Sequence, residues 1–294
     1  MPPHLAHIAQ EALANLSAPA AVANPSSLSS APSQSPKQPF SFLAVLDFEA
    51  TCDEQSGGGP RFGPQEVLEF PIVLLDTASG AVVSTFHHYV TPVVHPQLTP
   101  FCTQLTGITQ QMVSPSSGAL PFATVWAHAN EWLHKQGLLP SAGGPPTFAF
   151  ATCGDWDLRQ MLPAQLAQMG VSKRDIAAHW ASWINVKDAF NSFYQPKVPA
   201  RGMTDMLQKL RIPLQGRHHS GIDDSKNIAA VCARMLQDGC VFRYTYQRKE
   251  KAAVAAAPNG AAAPAAAPSP SSAFAPGPSA LQSALGRSQQ SRFQ

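Results

Sequence analysis

The run FLAVLDFE, residues 42–49, opens the part of the chain that can fold. It is apolar, rich in β-favouring side chains and free of Gly and Pro, so it reads as a buried strand. Its end turns acidic, with Asp47 and Glu49 two residues apart. Strand side chains alternate, so both carboxylates point to one face. Two neighbouring carboxylates resist joint ionisation unless a cation sits between them, and a hard divalent ion such as magnesium is the usual answer. A solvated strand end would carry the same two residues without any ion.

Outward from this run the pattern repeats. VLEFPIVLLD (67–76) follows a Gly/Pro-rich loop at 57–64, and VVSTFHHYV (82–90) follows a turn at Ser79 and Gly80. Three strands joined by loops suggest an antiparallel meander. Beyond them, residues 122–136 show helical spacing of Val125, Trp126, Ala129, Trp132 and Leu133. TFAFATC (147–153) reads as a strand and 156–169 as a helix, kinked or broken near Pro163. A short strand at 183–186, a short helix at 204–210 and a longer one at 222–236 complete the order. Three leading strands and then alternating helix and strand give an α/β fold with one mixed central sheet.

Composition bounds the rest. The chain has 294 residues and 28 prolines, and its last stretch is mostly Ala, Pro and Ser. Such a tail buries too little apolar surface to offset its ordering entropy. Residues 1–40 read the same way, which leaves one domain at 41–247 between disordered segments at 1–40 and 248–294. No run reaches the ~20 apolar residues of a membrane span and no secretory signal is present. The expectation is a soluble intracellular protein of cytoplasm or nucleus, with organelle targeting open because the N-terminus is Ser/Ala-rich and acid-poor. The five cysteines are scattered with no Cys-x-x-Cys pair, which suggests neither a disulfide framework nor a zinc site. Net charge is only +2, yet 47–157 is acidic whereas 159–251 has an excess of Lys and Arg. An acidic cluster beside a basic surface suits a metal-dependent enzyme acting on a polyanion, and an accidental surface asymmetry would look alike.

Two further stretches carry candidate chemistry. CGDWDL (153–158) places Asp155 and Asp157 where an apolar strand gives way to a helix, the end of an α/β sheet at which ligand sites gather. Asp155 reads as a helix cap and Asp157 as a ligand. GRHHSGIDDSKN (216–227) sets His219 five residues before Asp224 at the entrance to the last helix. A histidine beside bound metal is suited to take a proton from water, its pKa being near working pH; a surface or capping histidine is the plain alternative.

In this order the three signals resemble the DEDDh 3′-to-5′ exonucleases of the ribonuclease H-like fold. The likeness is closest to the enhanced-RNAi (ERI) exoribonucleases, which include the histone-mRNA 3′ exonuclease. The stretches that carry it are LDFEATC (46–52), EFPIVLLD (69–76), LTPFCTQLTGITQ (98–110), CGDWDL, WINVKDAFNSFY (183–194) and GRHHSGIDDSKNIA (216–229). The resemblance implies that Asp47, Glu49, Asp157 and Asp224 hold two magnesium or manganese ions, that Glu49 also serves catalysis, and that His219 is the general base. The spacing to Asp224 selects His219 over His218.

It further implies an RNA substrate with a single-stranded 3′ end or a 3′ overhang, trimmed to nucleoside 5′-monophosphates. Glu49, Ala50, Thr51, Thr106, Ile108, Trp156 and His219 would line the terminal nucleotide. Ile108 and Trp156 can offer apolar faces to a base without reading its identity, and core packing would use the same side chains. Arg217 and Lys226, which flank His219, are expected to contact RNA phosphates. Two other readings stand beside this one: a single-strand DNA exonuclease of the same superfamily, and a catalytically silent nucleic-acid-binding module. The disordered tails read equally as linkers, targeting segments or docking sites for protein partners, and no membrane is expected.

Overall fold

The computed structural model describes residues 36–54, 63–139 and 147–248. The expected disordered segments fall largely outside them, as does most of the 57–64 loop. The boundary expected at 41 moves outward. Gln38 donates to the Cys240 carbonyl (2.7 Å) and accepts from the Phe242 N–H (3.1 Å), and Phe40 is buried against Tyr244. At the other end Arg248 donates to the carbonyls of Lys173 and Ile176.

Eight strands among the described residues form one mixed sheet: β1 (Phe42–Val45), β2 (Glu49–Ala50), β3 (Val67–Asp76), β4 (Val82–Thr91), β5 (Leu120–Pro121), β6 (Phe148–Thr152), β7 (Ser182–Asn185) and β8 (Tyr246–Gln247). Their order is β5-β4-β3-β1-β6-β7-β8, with β2 paired to β3. The opening meander is antiparallel, whereas β1, β6 and β7 run parallel. Six α-helices among the described residues flank the sheet: α1 (Pro100–Thr106), α2 (Phe122–Lys135), α3 (Leu162–Gln168), α4 (Val186–Tyr194), α5 (Met203–Leu210) and α6 (Gly221–Gln237).

The two-residue period of β1 shows why helices cover both faces. Ala44 packs into a core shared with α2, α3 and Trp180, while Leu43 and Val45 enter a second core with α4, α5 and α6. No helix among the described residues is long and apolar enough to cross a membrane.

The stretch 42–49 is two short strands, not the one expected. Val45 lies opposite Val73 and Glu49 opposite Glu69, so Asp47 falls opposite Pro71, which has no N–H to give to a ladder. The Phe48 N–H leaves the sheet and donates instead to Asp157 Oδ1 at 2.8 Å. The helix expected at 156–169 is also modified. It does not break at Pro163; it opens with a π-helical turn, Asp157–Met161, and Pro163 occupies the first turn of α3. A widened turn ahead of the proline removes the demand for its missing N–H, and such turns often mark functional sites.

Candidate active site

Asp47 and Glu49 leave the broken strand pair toward the N-terminus of α6, where Asp224 sits in the first turn. One carboxylate oxygen from each of Asp47, Glu49 and Asp224 lies within 4.8 Å of the other two. Asp224 is 3% exposed, and its Oδ1 has no hydrogen-bond partner among the described residues. A buried carboxylate oxygen without a donor is costly unless a ligand meets it. Three carboxylates around one point offer only hard oxygen donors, which fits a divalent cation such as magnesium or manganese.

Asp157 borders this group from the π-helical turn, with Oδ1 held by the Phe48 N–H. The backbone break that brings Asp47 toward Asp224 is therefore the same feature that orients Asp157. The capping role expected for Asp155 does not appear. Its side chain accepts from Trp183 Nε1 (2.9 Å) and pairs with Arg159 (3.3 Å), while the helix entry has no side-chain cap. The tight turn at Gly154 aims Asp155 across the sheet at β7 rather than back along its own helix.

Electrostatics follow from this crowding. Burial, then the charges of Asp157, Glu49, Asp224 and Glu69, raise the Asp47 pKa well above its ordinary value. Burial followed by Glu69 pushes Glu49 up to about 9. Burial lifts Asp157 to about 6 against the opposing pull of the Phe48 N–H, and burial raises Asp224 as well. A bound dication would reverse these shifts by replacing mutual repulsion with attraction.

His219 stands at the mouth of the site. It is exposed, with φ +65, and its backbone N–H donates to Asp224 Oδ2 at 2.9 Å. The His218 ring stacks on that of His219 at 3.9 Å, and His218 Nδ1 hydrogen-bonds the same Asp224 oxygen. Partial burial, then His218, hold the His219 pKa below its ordinary value, with Asp224 opposing. Both residues are exposed, and they differ in that the His218 ring bonds Asp224 whereas His219 reaches Asp224 through its backbone N–H.

Glu69 was not singled out in the sequence. It is 1% exposed on β3, accepts from the Gly221 and Ile222 N–H groups (2.8 and 3.1 Å) and pairs with His87 (2.8 Å). It docks the positive end of α6 beside the acidic group. A lone glutamate inside the apolar run VLEFPIVLLD was the available signal.

Several of the side chains expected to line the terminal nucleotide are buried. Thr51, Thr106 and Ile108 are only 1–2% exposed. The Thr51 hydroxyl accepts from the Glu66 N–H, Thr106 Oγ1 bonds the Cys102 carbonyl and the Ile108 N–H, and Ile108 packs on Leu68, Cys102 and Val113. These three side chains face inward, and the partly exposed positions of α1 and its cap are Phe101, Thr103, Leu105 and Gly107. Ala50 is buried too and offers backbone only, whereas Trp156 is half-buried against the core. Lys226 is exposed on α6. Arg217 is exposed, and its side chain lies along the end of α1. Its Nη2 donates to the carbonyls of Gln104 (2.5 Å) and Leu105 (3.3 Å), the end of α1 being otherwise without a cation.

A family model for exonucleases (RNase_T) matches residues 44–232. In a search of solved structures, the nuclease domain of 3'hExo, described as a DEDDh family member bound to rAMP, superposes with a TM-score of 0.63 at 36% identity, covering 71% of this chain and 98% of that one. The chain belongs to the DEDDh exonuclease family. A second solved structure, of 3'-end specific recognition of histone mRNA stem-loop by 3'-exonuclease, matches at TM-score 0.64 and 34% identity, over 72% of this chain and 69% of that one. Among curated proteins, ERI1 exoribonuclease 3 of Homo sapiens is 45% identical over 211 residues, 71% of this chain. The DEDDh domain described here spans 58% of that relative's length.

Proposed function

We propose that this chain is a metal-dependent 3′-to-5′ exoribonuclease that removes nucleoside 5′-monophosphates from single-stranded 3′ ends or overhangs, its catalytic domain covering about residues 38–248. The observation that carries this reading is the meeting of Asp47, Glu49 and Asp224 within 4.8 Å around an unpartnered buried oxygen, with an exposed histidine at the rim. The names of the relatives support RNA as substrate.

Asp47, Glu49, Asp157 and Asp224 would hold two Mg2+ or Mn2+ ions, which when bound would supply charge neutralisation at the scissile phosphodiester. His219 accepts the proton of the attacking water from the solvent side, where its lowered pKa keeps the ring neutral at working pH. Asp224 fixes the imidazole through the His219 backbone N–H. The backbone of residues 49–51 and the exposed edge of α1 hold the terminal nucleotide, with Trp156 beside the base. Lys226 meets backbone phosphates.

The test uses 5′-labelled single-stranded RNA and DNA of one sequence in magnesium, with EDTA and Asp47→Ala as controls. A metal-dependent ladder from the RNA 3′ end, absent in the variant, is expected. Equal or faster loss of DNA would move the activity to DNA, and binding without cleavage would make the domain a silent module.

A further inference from the structure

We propose that Arg217 is a positioning residue: it latches the loop that carries His219 to the nucleotide-facing end of α1, and so sets where the imidazole stands. This rests on the exonuclease reading of the same site.

The last carbonyls of any helix lack intrahelical partners. In α1 the Gly107 N–H returns to the Thr103 carbonyl, and Thr106 Oγ1 serves that of Cys102. The carbonyls of Gln104 and Leu105 are met by Arg217, which comes from more than one hundred residues further along the chain. The guanidinium lies directly over Gly107. A Cβ on that residue would stand 2.6 Å from Arg217 Nε and 2.9 Å from Cδ, and Gly107 has φ +76. Glycine is thus required here twice, for its left-handed backbone and for the arginine above it.

The main chain of Arg217 begins the turn that holds the histidine. Its carbonyl accepts from the Ser220 N–H (3.2 Å) and its N–H donates to Asp223 Oδ2 (2.9 Å). Within that turn His219 takes a left-handed conformation that few non-glycine residues adopt, so its surroundings must hold it there. One residue therefore closes the histidine turn with its backbone and grips the nucleotide wall with its side chain. Both bonds leave one terminal nitrogen, Nη2, which lies one atom further from the backbone than a lysine ammonium would, so lysine cannot reach the two carbonyls from the same backbone position.

A phosphate ligand and a latch respond oppositely to two changes. Arg217→Lys keeps the charge and loses the reach, and Gly107→Ala keeps Arg217 but drives its guanidinium away. The latch predicts that Arg217→Ala, Arg217→Lys and Gly107→Ala each lower kcat roughly 10- to 100-fold with KM little changed, as expected for a misplaced catalytic group. The double variant Gly107→Ala/Arg217→Ala should be no slower than its slower parent. The slope of log Kd against log salt, measured for RNA on an Asp47→Ala background, should equal that of the parent.

Wild-type kcat in Arg217→Lys, additive losses in the double variant, or a slope shallower by about 0.7, the value of one single-strand phosphate contact, would overturn the latch. Amide hydrogen exchange decides it apart from activity. Arg217→Ala should speed exchange at both Ile108 and Ser220, and acceleration at Ser220 alone would overturn it. If the wild-type chain shortens no strand, the exonuclease reading fails while the exchange result still tests the latch.

Discussion

His219 and the carboxylates are separable by experiment because they do different things. Asp47, Glu49 and Asp224 form the anionic group itself, with Asp224 Oδ1 lacking a donor among the described residues. Asp47→Ala, Glu49→Ala or Asp224→Ala is expected to abolish cleavage at any magnesium concentration, since removing one ligand opens the group. His219→Ala removes a proton acceptor at the rim and should slow the reaction by ~10²–10⁴-fold, the range for a general acid or base. Single-turnover cleavage of labelled RNA checks both, and a His219→Ala rate equal to wild type would remove it from the chemistry. His218 serves as an internal comparison: its Nδ1 is already bonded to Asp224, so His218→Ala should cost less than His219→Ala.

Whether those side chains meet depends on how α6 docks. Gly221 is its first residue, and a Cβ there would lie 2.6 Å from the Asp47 carbonyl and 3.2 Å from Glu69 Oε2. Gly221→Ala must push the helix start away from β3, carrying Asp224 off the group while the hydrophobic side of α6 stays packed. The expected outcome is that Mn2+ affinity, followed by calorimetry, falls by an order of magnitude or more with only a small change in urea midpoint; undiminished affinity would mean the helix had tolerated the methyl in place. The same element explains what sequence could and could not show. Asp47, Glu49, Asp157 and Asp224 stood out because each sits where a regular apolar pattern ends, a local property. The work of Glu69 on the Gly221 and Ile222 N–H groups, and the grip of Arg217 on α1, join segments far apart in the chain. No spacing rule records such pairs. Helix α1 escaped prediction because seven uncharged residues cannot display a helical period, and it is set by the Thr99 cap at one end and Arg217 at the other. Only Val186 of helix α4 falls in an expected element, the strand at 183–186, since the helix cap, Asn185, is also the last residue of β7. The single strand at 42–49 became two because Pro71, on a different strand, removes one rung of the ladder.

Stability of the folded domain couples to pH through groups of opposite sign. In the absence of cations, the raised carboxylates favour the folded state at low pH, and that contribution is lost as pH rises through about 6 for Asp157 and about 9 for Glu49. His179 acts the other way. Its ring packs near Phe148, its Nε2 is buried without a partner among the described residues, and burial pushes its pKa down to about 4. Unfolded, the same imidazole titrates near its ordinary value of about 6.5. Between those two values the unfolded chain holds a proton that the folded chain does not, so the contribution of His179 is complete above about 6.5 and is lost as pH falls toward about 4. From pH 8 to pH 5 the loss amounts to about 2 kcal/mol. His179→Phe keeps an aromatic ring beside Phe148 and cannot be protonated. Urea unfolding of wild type and variant at both pH values, in EDTA so that the carboxylate contribution is common to both, isolates the difference. The variant should lose about 2 kcal/mol less than wild type on acidification, whereas parallel losses would show that the His179 imidazole accepts a proton without leaving the fold.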